Sequence, residues 1–154
     1  MPTINPYDLA RRGGVLEGSN SVLEFERLEA ALAEDAEIEE PVTWRAQFAP
    51  FPGEDHDAGL TLSVSARLPL SCVRCLSPVQ VPIEFERAFR LVADESQAAL
   101  LDEQAEDHDV LAVGRHFDLL ALVEDELIMA LPLMPRHAQC PPAADVPMPA
   151  DVYD

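Results

Sequence analysis

Alternation of apolar and polar residues is the strongest signal along this chain. Val42, Trp44, Ala46 and Phe48 alternate with Thr43, Arg45 and Gln47. Leu60, Leu62, Val64, Ala66, Leu68 and Leu70 keep the same period of two, with Thr61, Ser63, Ser65 and Arg67 between them. A third run sets Val79, Val81, Ile83, Phe85, Phe89 and Leu91 against Gln80, Glu84, Glu86 and Arg90, and Arg87 alone interrupts its apolar side. Successive side chains of a strand point to opposite faces, so each run predicts a strand with one face on a core and one in water. Pro69 and Pro82 lack the amide proton a ladder needs, which places them at strand ends or edges. Pro50, Pro52 and Gly53 break the first run, and Glu54 to Asp57 predict a polar loop. Val110 to Val113 predicts a further short strand before a Gly114-Arg115 turn.

The period changes at Leu119. Leu119, Leu120, Leu122, Val123, Leu127, Ala130 and Leu131 form a broad stripe at helical spacing and predict a helix from Leu119 to about Leu131. Asp118 is its expected N-cap, with Phe117 and Leu122 placed as a hydrophobic staple, and Pro132 and Pro135 stop it. Residues 22–38 look helical in part, with Leu28, Ala31 and Leu32 on one face; Val22 to Phe25 reads equally as a strand, and Pro41 ends that stretch. Residues 94–109 are acidic and weakly patterned, a loop with one helical turn at Gln97 to Leu101. Residues 1–20 are expected as an irregular arm, 21–140 as a single domain, and 141–154 as a disordered Pro-, Ala- and Asp-rich tail. The fold expected is α+β: an antiparallel sheet, open or curled toward a barrel, with one main amphipathic helix packed on it.

Composition narrows the function. The 154 residues suit one domain with ragged ends. No apolar run approaches the roughly 18 residues a membrane helix needs, and the first residues lack the apolar stretch of a secretory signal, so a cytoplasmic location is expected. The formal net charge of -19 repels phosphate backbones and disfavours direct binding of nucleic acid. A basic protein is the better-matched partner, although the same charge also serves solubility.

Chemistry concentrates at Cys72-Val73-Arg74-Cys75, a C-x-x-C between two strands. Three readings stand side by side. A redox dithiol sits at a helix N-terminus, where the dipole lowers a thiol pKa, and strands on both sides do not provide that. A metal knuckle suits a hairpin turn, and His137 with Cys140, just past the helix, completes a Cys3His zinc tetrad. The third reading is two small thiols packed at a hairpin end with Arg74 exposed. The three cysteines are an odd number, which leaves one thiol over in an oxidising compartment. His56 and His108 lie in acidic loops and His116 precedes the helix; Asp107-His108-Asp109 reads as a solvated loop ahead of a metal contact, and His137 alone has a matching metal partner set. Glu124, Asp125 and Glu126 are consecutive and point in different directions around a helix, a solvated face or an acidic dock for a basic partner. No phosphate-binding loop, nucleophile elbow or acid–base pair is present in the sequence, so no enzyme and no small-molecule substrate is expected.

The segment S-C-V-R-C-L-S-P-V-Q-V-P-I-E-F-E (Ser71 to Glu86) resembles the C-x-R-C segment of the YceD family. F-D-L-L-A-L-V-E-D-E-L-I-M-A-L-P-L-M-P-R-H-A-Q-C (Phe117 to Cys140) resembles that family's acidic helix, its Pro-rich exit and its following His and Cys. Both occur in the family's order, and the resemblance covers about residues 40–140. It implies a non-catalytic role in accumulation of large-subunit (23S) ribosomal RNA in bacteria, hence in ribosome assembly. It singles out Cys72, Arg74, Cys75, Asp118, Glu124, Asp125, Glu126, His137 and Cys140. With the acidic charge, the expected partner is a basic ribosomal or RNA-processing protein, with ribosomal RNA reached indirectly.

Overall fold

The computed structural model describes residues 3–34 and 36–140; the expected tail, 141–154, lies outside them. Strand β1 (Val15–Asn20), β2 (Val42–Phe51), β3 (Glu54–Ser71), β4 (Pro78–Val92) and β5 (Asp109–Ala112) form one sheet in the order β1-β2-β3-β4-β5. The first four make an antiparallel meander, and β5 pairs parallel to β4. The sheet is therefore mixed and open, with β1 and β5 at its edges, rather than wholly antiparallel or closed. The parallel pairing follows from the α3 helix (Glu95–Gln104), which carries the chain back between β4 and β5. The acidic stretch expected as a loop is thus mostly helix: Asp94 caps it by accepting from the Ser96 amide, and it buries only Ala98. A helix with so little apolar face leaves almost no periodic trace in sequence.

Much of the stretch expected as an irregular arm also forms regular elements, within residues 4–20. Helix α1 (Pro6–Arg12) starts with Asn5 accepting from the Tyr7 and Asp8 amides, and it ends at Gly13 with φ 63°. Proline at the first helical position and glycine just past the end are ordinary terminal signals. β1 follows on the sheet edge, and the Ile4 bridge to Phe117 ties this arm to the start of the last helix. The Glu54–Asp57 loop instead opens β3, because the turn closes at Pro52-Gly53 and pairing resumes at Glu54.

The sheet's inner face is the predicted one. Val42, Trp44, Ala46 and Phe48 are buried on β2, and Leu60, Leu62, Val64, Ala66, Leu68 and Leu70 on β3. Helix α4 (Leu119–Ala130) supplies Leu119, Leu122, Val123 and Leu127 to that core, and Asp118 caps it by accepting from the Ala121 amide. The short α2 (Glu26–Ala30) adds Leu28, after a 3-10 turn at Val22–Glu24 that buries Val22.

β3 and β4 pair from Ala58↔Leu91 to Ser71↔Pro78, whereas β2 stops pairing with β3 at Ser65. The hairpin therefore overhangs the sheet. Pro69 lies on this overhang, and Pro82 lies on β4 before its β5 partners begin, so neither proline removes a bond from a doubly paired stretch. The overhang carries Cys72 and Cys75 at its tip. Among the described residues no helix is long and apolar enough to cross a membrane.

Candidate metal centre

The tip turn is closed by its own backbone. The Cys72 amide donates to the Ser77 carbonyl at 3.0 Å, and the Leu76 amide donates to the Cys72 carbonyl at 2.9 Å. This bends the chain so sharply that Leu76 takes φ 64°, a left-handed conformation costing a branched residue about 1–2 kcal/mol. Such strain persists only where the surroundings over-determine it. The Arg74 amide points at the Cys72 sulfur, 3.4 Å away. Cys72 itself is buried, while Val73 and Leu76 are exposed.

The segment after α4 docks on this turn. The Val73 amide donates to the Pro135 carbonyl at 2.9 Å. That bond brings His137 and Cys140 alongside the two hairpin thiols. Cys140 Sγ lies 3.7 Å from Cys72 Sγ, and His137 Nδ1 lies 3.4 Å from Cys75 Sγ. One donor atom from each of the four residues falls within 4.8 Å of every other. The sulfurs are not disulfide-bonded, since 3.7 Å far exceeds the S–S bond of about 2.05 Å. The far ring nitrogen of His137, Nε2, lies 3.0 Å from the Pro78 carbonyl. A carbonyl can only accept, so this contact puts the ring proton on Nε2 and turns the Nδ1 lone pair toward the thiols.

The electrostatics match that arrangement. Burial pushes the Cys72 thiol up, but the backbone N–H groups of Cys75, His137 and Arg74, together with the His137 ring, outweigh it and bring the thiol down to about 5. The Ser77 amide lowers Cys75 against its own burial. Contact with Cys72 raises His137 in spite of burial. Burial and then the two neighbouring sulfurs hold the Cys140 thiol up. Anionic sulfur is thus favoured at the hairpin side of the cluster, where backbone donors converge.

The other sequence-singled residues divide differently. Arg74 is exposed at the tip. Two of the three α4 carboxylates, Glu124 and Glu126, face other elements, and Asp125 stays about half exposed. Glu124 accepts from the Arg27 and Leu28 amides at 2.8 and 3.1 Å, and its other oxygen meets the Arg27 guanidinium at 3.2 Å. It thereby caps α2, whose own N-cap residue, Phe25, has no side-chain acceptor. Asp125 shares the Arg27 guanidinium at 2.6 Å. Glu126 is buried and pairs with Arg87 at 3.1 Å, which accounts for the single cation on the apolar side of β4. Sequence reading missed Arg27, and it missed the largely buried pair of Arg90 with Asp57 at 2.7 Å, because it placed Asp57 in a loop. Among the described residues the Cys3His set is the only group of three or more potential ligands that converges; Asp107 and His108 contact each other without forming one.

Comparison with known proteins agrees with the two signatures. The family model described as "Large ribosomal RNA subunit accumulation protein YceD" matches residues 60–152, more than half of the chain, from β3 through all four cluster residues. A curated protein of that name from Haemophilus influenzae is 42% identical over 69 residues, covering 45% of this chain and 39% of the relative's length. No solved structure matches. The chain belongs to the YceD family.

Proposed function

We propose that this protein is a non-catalytic factor supporting accumulation of large-subunit ribosomal RNA, and that it acts by holding a basic ribosomal or RNA-processing protein. The observation that carries the process is the family match across β3 to the cluster, together with the name of the H. influenzae relative. The net charge of -19 supports the contact mechanism, since a field of that sign steers basic partners and repels bare RNA. On α4, Glu124 and Glu126 are engaged within the fold, while Asp125 stays about half exposed beside Arg27. The larger acidic surface lies elsewhere. It is Glu34, Glu37, Glu39 and Glu40 ahead of β2, and the exposed acids of α3 and its flanks from Asp94 to Asp109.

A thiol oxidoreductase is supported less well. Cys72 has an anion-favouring environment, but it is fully buried, and the C-x-x-C lies on a hairpin tip rather than at a helix N-terminus.

In a strain lacking its own YceD-family gene, expression of this chain restores the level of large-subunit ribosomal RNA; no change in that RNA on losing or regaining the gene defeats the functional reading. In a low-salt pulldown the full chain enriches basic ribosomal or RNA-processing proteins, and changing Glu34, Glu37, Glu39 and Glu40 to Gln weakens that enrichment. Absence of such proteins from the wild-type pulldown defeats the contact mechanism alone.

A further inference from the structure

We propose that Cys72, Cys75, His137 and Cys140 hold one zinc ion as a closed structural site that clamps the segment after α4 onto the tip of the β3–β4 hairpin.

A tetrahedral zinc with bonds of about 2.3 Å to sulfur and about 2.0–2.1 Å to nitrogen sets neighbouring sulfurs about 3.8 Å apart and sulfur–nitrogen pairs about 3.6 Å apart. The cluster has 3.7 Å between Cys72 and Cys140 and 3.4 Å between Cys75 and His137. Thiols alone give little reason for this convergence, because S–H is a weak donor and sulfur a weak acceptor. Three sulfurs and an imidazole suit a soft or borderline ion in tetrahedral coordination and not magnesium, calcium or manganese. Four protein donors fill a tetrahedron and leave no position for water or substrate, so the site is structural and not hydrolytic. The Pro78 carbonyl on His137 Nε2 is the outer partner that orients a metal-binding imidazole.

The fold also has a use for the clamp. Residues 132–140 form no helix or strand, and Leu133 is 97% exposed and Met134 63% exposed, so apolar burial does not hold them. Outside the cluster, the backbone bond from Val73 to Pro135 and the His137–Pro78 contact attach them to the hairpin. Zinc joins residues more than sixty positions apart in sequence and turns the two family signatures into one unit. It also supplies the over-determination that the left-handed Leu76 requires.

The test uses the untagged full chain, purified under reducing conditions with zinc present and then dialysed. Elemental analysis is expected to give about one zinc per chain, falling below about 0.1 in the Cys72→Ser/Cys140→Ser double variant and staying near one in His108→Gln. Cobalt(II) in place of zinc is expected to give the intense visible absorption of tetrahedral thiolate ligation, and a chelator to speed thiol labelling at Cys75 and Cys140. Cys140→Ser alone lies outside the sheet and keeps the readout available if the double variant misfolds; it is expected to lose the cobalt spectrum. Zinc-free wild-type protein after reconstitution, zinc retained by the double variant, or iron in place of zinc overturns the proposal.

Discussion

Two stretches of the same hairpin are stabilised by different physics. On β3, Leu60, Leu62, Val64 and Leu68 are buried in the core cluster that also takes in side chains of β2 and α4, and each contributes by leaving water. At the tip, beyond the buried Cys72, that mechanism gives out: Leu76 is 77% exposed, and what joins the tip to its surroundings is backbone bonds and four converging donors. The body spreads its stability over many side chains, so one truncation weakens the whole. The tip concentrates its order in one cluster, so losing a donor should free the tip and leave the sheet.

The largest test of that contrast is Leu62→Ala. Leu62 is fully buried on a central strand, and truncation should lower stability by about 3 kcal/mol in urea titration, with zinc content per folded chain unchanged. Loss of zinc in parallel would show that body and tip are not separable. Next is Glu124→Ala, which removes the acceptor that caps α2 and leaves two amides and Arg27 without it. A loss of about 1–2 kcal/mol is expected, with Glu124→Gln costing less because it retains an oxygen acceptor. Equal losses from both variants would mean that charge, not capping, is what Glu124 provides.

The smallest effect is a pH dependence. Burial raises the Glu126 carboxyl, Arg87 draws it part of the way back, and Asp109 and Asp125 raise it further. The folded chain therefore keeps a proton that the unfolded chain has already released. Stability from this group falls as pH rises from the ordinary glutamate value of 4.5 through the raised native one. Glu126→Gln, neutral throughout, should match wild type below that window and equal or exceed it above. A variant that loses stability only at the higher pH would show that the Arg87 pair is net favourable.

The period-two runs were legible because alternation is local: each residue's face follows from its neighbour's. The same holds for α4 and its Asp118 cap, whose oxygen needs only an amide three residues on. The N-terminal arm carried readable cap signals at Asn5, Pro6 and Gly13, yet its few apolar residues gave no stripe to confirm a helix. The α3 helix was hidden for the same reason. Arg87 was visible as an anomaly in an apolar face, but its partner, Glu126, lies on a different element whose position no local pattern gives.

The sequence by itself determined the strand faces, the main helix, the acidic charge and the donor types at Cys72, Cys75, His137 and Cys140, because each depends on residue identity and short-range spacing. The tertiary structure alone decided that β5 runs parallel to β4, that the α4 carboxylates meet Arg27, the start of α2 and Arg87, and that the four donors meet. Those outcomes rest on which distant elements pack together. Here the β3–β4 overhang reaches past β2 to the exit of α4, and the Val73–Pro135 bond closes the gap.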